Sequence, residues 1–293
     1  MTAAGAMPGP SDRLAYALFF AAVLHAVVIL GVAFDAPGLD TPTEVRLLEA
    51  AARVSEVTPL DVVPTFLGAH VVDREADRSA YVEMVIEEML PACAPLARYC
   101  DVFCDEGAFT VGEAQRILDA ASRHGLGARL HAEQLVRTGA ATLAASVGAA
   151  SADHLDHATD EDARRLAEAG TTAVLLPGAS LSMRTPHPPA RMLWDAGVTV
   201  ALATDCNPGT SYVESMPLVV ALAALELGLT PEEATWAATR GGALALEMPD
   251  RGWIGPGAAG DLVLLDAPSH LHLAYRPGAA LTWRVVKGGV MVA

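Results

Sequence analysis

Four side chains in this sequence stand where chemistry is commonly done. His70 closes the apolar run LDVVPTFLGAH (60–70), His131 lies in ARLHAEQ (128–134), His154 in ASADHLDH (150–157) and Asp205 in VTVALATDCNPG (198–209). Each follows a short strand-like run, so three imidazoles and a carboxylate fall at the C-terminal ends of four different strands. Where parallel strands alternate with helices around a barrel, those ends converge on one face, and catalytic groups sit there. Taken singly, a histidine at a strand end reads equally well as a hydrogen-bonded loop residue, and Asn207-Pro208-Gly209 is an ordinary turn sequence. Taken jointly, the four residues define a candidate site.

The elements that would position them alternate regularly. Val45, Leu48 and Ala52 recur at helical spacing behind Thr43, a suitable N-cap. The strand-like run ending at His70 follows. Residues 81–90 read as helix, CDVFC (100–104) as strand, and 111–124 as helix stopped by Gly125. The runs ending at His131 and His154, then TTAVLLPGA (171–179) and the run before Asp205, bring the strand candidates to six. Repeated βα units imply a parallel sheet with helices outside, doubly wound or closed into a barrel. The polar strand ends favour the barrel. The tail, GWIGPGAAGDLVLLDAP (252–268) and LTWRVVKGGVMVA (281–293), reads as short strands joined by Gly/Pro turns, a β-rich flap. The organisation expected is an N-terminal segment 1–37, an α/β barrel domain 38–250 of about six βα units, and a C-terminal β-rich segment 251–293.

The placing of His131, His154 and Asp205 on successive late strands resembles the amidohydrolase superfamily. The local wording narrows the resemblance to the imidazolonepropionase family: TFLGAH (65–70), DVFCDEGAF (101–109), LHAEQ (130–134), SADHLDH (151–157), AVLLPGA (173–179) and ALATDCNPGTS (201–211), in order from residue 38 to the end. The resemblance implies a metal-dependent TIM-like (β/α) barrel that opens 4-imidazolone-5-propanoate, a small-molecule substrate, with water to give N-formimidoyl-L-glutamate. It makes His131 and Asp205 ligands of one zinc or iron ion, for which imidazole and carboxylate are suitable donors. It gives Asp205 a second duty as proton shuttle, and His154 the task of polarising the carbonyl and holding the developing oxyanion. His70, Gln134, Asn207, Gly209 and Thr210 match substrate-contacting positions. Strand alternation leaves Glu133 and Gln134 undecided; the family spacing selects Gln134. Many amidohydrolases bridge two metals through a carbamylated strand lysine. Lys287 is the single lysine here and lies in the tail, so a mononuclear site is expected.

The family's first strand ends in His-x-His, and upstream of residue 38 the resemblance stops. His270-Leu271-His272 is the one His-x-His in the sequence and aligns with a segment that has no metal role. The expectation is an incomplete barrel with little or no hydrolase activity on its own. The alternatives are a membrane-tethered, non-enzymatic barrel remnant and another mononuclear amidohydrolase resembling aromatic deaminases.

Composition supplies the exclusions. Of 293 residues, 52% are hydrophobic, enough for a sizeable core, and a formal net charge of −16 without any basic cluster argues against a nucleic-acid partner. Cys93, Cys100, Cys104 and Cys206 form neither a disulfide scaffold nor a zinc cluster and read as reduced thiols, in the core or lining the site. Leu14 to Phe34 carries no charge over 21 positions, about 31 Å as a helix, long enough to span a bilayer. With His25 inside it, this segment resembles the N-terminal anchor of TonB-type energy transducers, although Ala21 stands where that family has serine. Arg13 before the run and Asp35, Asp40 and Glu44 after it would place the N-terminus on the cytoplasmic side of a membrane so spanned and the hydrolase part outside. The hydrolase resemblance implies a cytoplasmic enzyme instead, and leaves a homodimer open.

Overall fold

The structure, a computed structural model, describes residues 43–72 and 77–293. Pro42–Ala293 forms a compact unit. The apolar run 14–34 lies outside the described residues; among those described, no helix is long and apolar enough to cross a membrane.

Helix α1 (Thr43–Val57) leads to β1 (Thr65–Ala69), and a helix capped by Asp77, whose carboxylate accepts from the Ala80 amide, runs through α2 (Arg78–Met84), a π-turn (Val85–Met89) and α3 (Leu90–Cys93). Then follow β2 (Tyr99–Cys104), α4 (Val111–Arg123), β3 (Gly127–Ala132), α5 (Ala140–Ser146), β4 (Ser151–His154), α6 (Asp160–Ala169) and β5 (Thr172–Leu175). Next are α7 (Pro177–Met183), α8 (Ala190–Asp195) and β6 (Val200–Leu202). The helical layer ends with α9 (Met216–Leu225), α10 (Pro231–Trp236), a second π-turn (Ala237–Gly241) and α11 (Gly242–Ala245). The six strands pair in chain order, β1-β2-β3-β4-β5-β6, all parallel. A doubly wound sheet reverses its order part-way; this one does not, and so forms the wall of a βα barrel.

The sequence explains the element boundaries. Thr110 with Glu113 and Thr159 with Asp162 make reciprocal capping boxes at the starts of α4 and α6, which fixes how soon each helix follows its strand. The run 171–179 does not continue as strand, because Pro177 is pre-set for the first turn of a helix and begins α7. Along β2, Cys100, Val102 and Cys104 enter the apolar layer beneath the helices, while Asp101 takes the other face. Below the site, the Arg129 guanidinium lies 4.1 Å over the Tyr99 ring and donates to the Ala245 carbonyl (2.6 Å) and the Ser151 hydroxyl (3.2 Å). This polar plug ties α11 to the inside of the sheet. The C-terminal segment contains an antiparallel sheet of β7 (Leu262–Leu265), β8 (Thr282–Lys287) and β9 (Val290–Met291), with the single turn α12 (His272–Tyr275) inserted. Lys287 pairs there with Asp61 (2.7 Å) and Asp261 (2.9 Å).

The second π-turn presses against β6. A Cβ on Gly241 would lie 2.1 Å from the Val200 carbonyl oxygen, a backbone atom that cannot step aside, whereas the nearest atom to a Cβ on Gly242 is 4.0 Å away. Gly241→Ala is therefore expected to cost at least about 1–3 kcal/mol through overpacking. Gly242→Ala is expected to be neutral or to stabilise the helix by about 0.5–1 kcal/mol. Urea midpoints of the two variants check both signs.

Candidate metal centre at the strand ends

His70 directly follows β1, His131 is near the end of β3, His154 ends β4, and Asp205 lies just beyond β6. The sheet order carries these ends to a common rim, and the side chains meet there. The His131 ring centroid is 4.6 Å from that of His70 and 4.9 Å from that of His154. One ligand atom each from His131, His154 and Asp205 lies within 4.8 Å of the other two. His70, Asp101 and His131 form a second group on the same criterion, sharing His131.

Backbone strain helps to gather them. Register pairs His131 with Asp153, so ordinary alternation would direct Asp153, not His154, to the side of His131. A left-handed backbone at His154 (φ 72°) and Leu155 (φ 63°) breaks that alternation, and Asp205 (φ 51°) and Glu133 (φ 52°) are left-handed too. Non-glycine residues in this region cost of order 1 kcal/mol or more and cluster at functional sites.

Two buried carboxylates hold the loop after β3. Glu133, wholly buried, accepts from the amides of Thr138 (2.6 Å), Gly139 (3.0 Å) and Ala141 (3.0 Å). Asp105 accepts from the amides of Gln134 (2.8 Å), Leu135 (2.9 Å) and Val136 (3.2 Å). Glu133 is thus a loop staple, which resolves the alternation left undecided by the sequence and leaves Gln134 as the residue whose side chain is not committed to that scaffold. After β6, the Asn207 amide nitrogen donates to the Asp205 carbonyl (2.7 Å), and its oxygen accepts from the amides of Gly209 and Thr210 (both 2.8 Å). Asn207 builds the turn that carries Asp205, and Gly209 and Thr210 lie in the same turn. His272 stands apart in α12, its ring against Tyr275.

Asp101 was not among the residues singled out from the sequence. It is buried in mid-strand; its Oδ2 is 3.0 Å from His131 Nδ1 and 3.4 Å from His70 Nε2. The one available signal was a charged residue facing inward in the otherwise apolar strand CDVFC.

The groups shift one another strongly. Burial disfavours charge on Asp101, but the imidazoles of His131 and His70 more than offset this and hold its carboxyl well below the usual range. Burial works against charge on His131 as well, and the Asp101 carboxylate overrides it, raising that imidazole to about 9. His154 moves the opposite way: burial, then repulsion from His131, keep it well below its ordinary value, so it is neutral at pH 7. Burial raises Asp205, partly countered by His131.

The donor set fits a metal ion. Imidazole and carboxylate are the usual oxygen and nitrogen donors of zinc and iron sites. His154 Nδ1 is buried without a hydrogen-bond partner, and buried polar atoms rarely lack one. Ligand atoms within 4.8 Å of one another need only modest closure to reach bonds of about 2.0–2.2 Å. By contrast, an open groove of 810 Å³ lined by His187, Arg191 and Glu226 lies elsewhere and contains none of these residues.

A barrel wall with histidines and an aspartate clustered at its strand ends defines the class of metal-dependent barrel hydrolases. Residues 40–293 match the amidohydrolase family, and the chain belongs to it. The chain is 55% identical over 257 residues to the imidazolonepropionase of Salinispora arenicola and 52% identical over 255 residues to that of Streptomyces coelicolor, in each case covering 86% of this chain and 64% of the relative. It therefore spans a little under two thirds of those relatives' length. Among solved structures, a zinc-bound adenosine deaminase of Xanthomonas campestris superposes with a TM-score of 0.63 at 20% identity, covering 82% of this chain and 62% of that one. A Xaa-Pro dipeptidase does so with 0.63 at 15% identity, covering 86% and 73%. These two share the fold.

Two predictions follow from the rim. Glu133→Gln leaves three amides facing a weaker, partly donor group and should cost about 1.5–3 kcal/mol, with the amides of Thr138, Gly139 and Ala141 exchanging faster by hydrogen–deuterium exchange. Cys206 is exposed, while Cys93, Cys100 and Cys104 are buried; burial raises the Cys93 thiol to about 11 and that of Cys104 to about 12. Under native conditions one thiol per chain, Cys206, should react promptly with Ellman's reagent, and all four after unfolding.

Proposed function

We propose that this chain carries metal-binding and proton-transfer residues of an imidazolonepropionase-type site, which opens 4-imidazolone-5-propanoate with water to N-formimidoyl-L-glutamate. The observation that carries the reading is the approach of His131, His154 and Asp205 ligand atoms to within 4.8 Å at the strand ends. It occurs in a chain more than half identical to curated imidazolonepropionases over its barrel.

In this reading His131 and Asp205 would hold one zinc or iron ion. Such an ion, when bound, brings the pKa of water toward 7 and so supplies a nucleophile at neutral pH. Asp205, its carboxyl raised by burial, accepts a proton from the attacking water and delivers it to the departing ring nitrogen. His154, neutral at pH 7, donates an N–H to the carbonyl oxygen as negative charge builds on it. His70 and Gln134 contact the substrate from the β1 and β3 ends. The turn formed by Asn207, Gly209 and Thr210 shapes the β6 end, with the Asn207 amide serving that turn first. A division into 1–37, 38–250 and 251–293 and a cytoplasmic location accompany this reading, which leaves a homodimer open. The relatives favour neither a non-enzymatic remnant nor a deaminase.

The test begins with metal content. Purified protein equilibrated with zinc or iron should retain one ion per chain by elemental analysis, and His131→Ala and Asp205→Ala should each lose it. With the metal bound, loss of 4-imidazolone-5-propanoate should exceed a metal-only blank and vanish in the same variants. Failure to retain any ion removes the metal reading; a retained ion with no ring opening removes the substrate.

A further inference from the structure

The strand between the two that carry His70 and His131 holds a buried acid with no place in the reaction just described. Asp101 sits in the middle of β2, 4% exposed, and its register partner on β3 is Arg129, two residues before His131. From there its carboxylate reaches toward the rim. Oδ1 and Oδ2 lie 3.2 Å and 3.0 Å from His131 Nδ1, and Oδ2 lies 3.4 Å from Nε2 of His70.

An imidazole offers two nitrogens, and in its neutral form only one carries the proton. His131 belongs to both donor groups at the rim, one with Asp101 and His70, the other with His154 and Asp205. Its Nδ1 is taken up by Asp101, which leaves Nε2, across the ring, for the second group. A carboxylate is an acceptor only, so it selects the form of His131 with the proton on Nδ1 and the lone pair on Nε2. A buried ion pair adds little net stability over apolar residues of the same volume, so stability alone is a poor reason for an acid at this position. An acid that sets the direction of a ligand's lone pair accounts for its place, since carboxylates behind ligating histidines fix ring orientation and tautomer.

We propose that Asp101 is the positioning residue of this site: its carboxylate locks His131 with the proton on Nδ1, so that Nε2 is presented to the metal, and steadies the neighbouring His70 ring. The proposal rests on the metal-centre reading above, and its test separates the two. Asp101→Asn keeps the shape but can turn an amide N–H toward Nδ1, which favours the wrong tautomer.

The experiment uses the full chain with ¹⁵N-labelled histidine. In metal-free protein, long-range imidazole spectra recorded on both sides of the His131 titration should show the neutral ring protonated on Nδ1, and Asp101→Asn should move that proton wholly or partly to Nε2. In competition with a chromogenic chelator, wild-type protein should bind one zinc per chain, and the variant should bind it about 10–100-fold more weakly. The melting temperatures of the two metal-free proteins should stay within a few degrees, which separates positioning from folding. A wild-type His131 protonated on Nε2 overturns the proposal without any variant. An Asp101→Asn protein with unchanged tautomer and zinc affinity overturns it also, as does a second zinc in wild type that the variant loses, since Asp101 would then be a ligand. If wild type binds no zinc, the metal-centre reading falls, while the tautomer measurement still decides the role of Asp101.

Discussion

Parallel strands that pair in the order of the chain impose the constraint on which the site depends. With no reversal in β1 to β6 and every pair parallel, the C-terminal ends of the strands lie on one rim. Residues as far apart in sequence as His70, His131 and His154 are therefore brought side by side by the hydrogen-bond ladder itself. The ladder fixes their separations before any side-chain interaction is counted, because register sets each strand's height against the next. His131, on β3, faces the β1 end on one side and the β4 end on the other, and for that reason belongs to both donor groups.

Gathering imidazoles and carboxylates out of water is costly unless each charge finds a partner. The structure meets this by dividing the labour among acids. Glu133 and Asp105 face backbone amides and hold the β3 loop. Asp101 faces imidazoles. Asp205, at the rim, has the Asn207 turn behind it and remains turned toward His131. The outcome is a spread of proton affinities within one small space, with His131 pushed up and His154 pushed down. Two imidazoles of the same intrinsic basicity are thereby suited to different tasks, one as an anionic-carboxylate partner and the other as a neutral hydrogen-bond donor.

Much of this was legible in the sequence because it is written in period and punctuation. Six short apolar runs alternating with helical patterns, four of them ending in His or Asp, match the six parallel strands and their order, and Gly125 ends α4 where it was expected. The convergence of His70, His131, His154 and Asp205 followed from the same pattern. What could not be read depends on contacts rather than periodicity. The run 171–179 looks uniformly apolar, yet Pro177 divides it into strand and helix. The role of Glu133 rests on amides five to eight residues away, which alternation does not report. The side chain of Asn207 also ties its own turn, through contacts that period does not report. Asp101 sits inside the quoted segment DVFCDEGAF, but its importance appears only when β1 and β3 are set on either side of it. The apolar run 14–34 lies outside the described residues and leaves that part of the sequence argument where it began.

The left-handed backbone at His154 and Asp205 links these observations. Strain at a non-glycine residue survives only if its surroundings over-determine it. Here they do: Leu155 N donates to the Ala132 carbonyl, His157 N to that of Glu133, and the Asn207 turn ties Asp205 from behind. Strand β4 is thus stitched to the β3 loop at the very residues that leave the extended conformation. The Glu133 staple, the turn at His154 and the orientation of His131 form one mechanical unit, because Glu133 holds the β3 loop through its side chain and the β4 turn through its carbonyl. A rim built this way holds its imidazoles in set directions through its own backbone and side-chain contacts, which is the preorganisation that electrostatic catalysis requires.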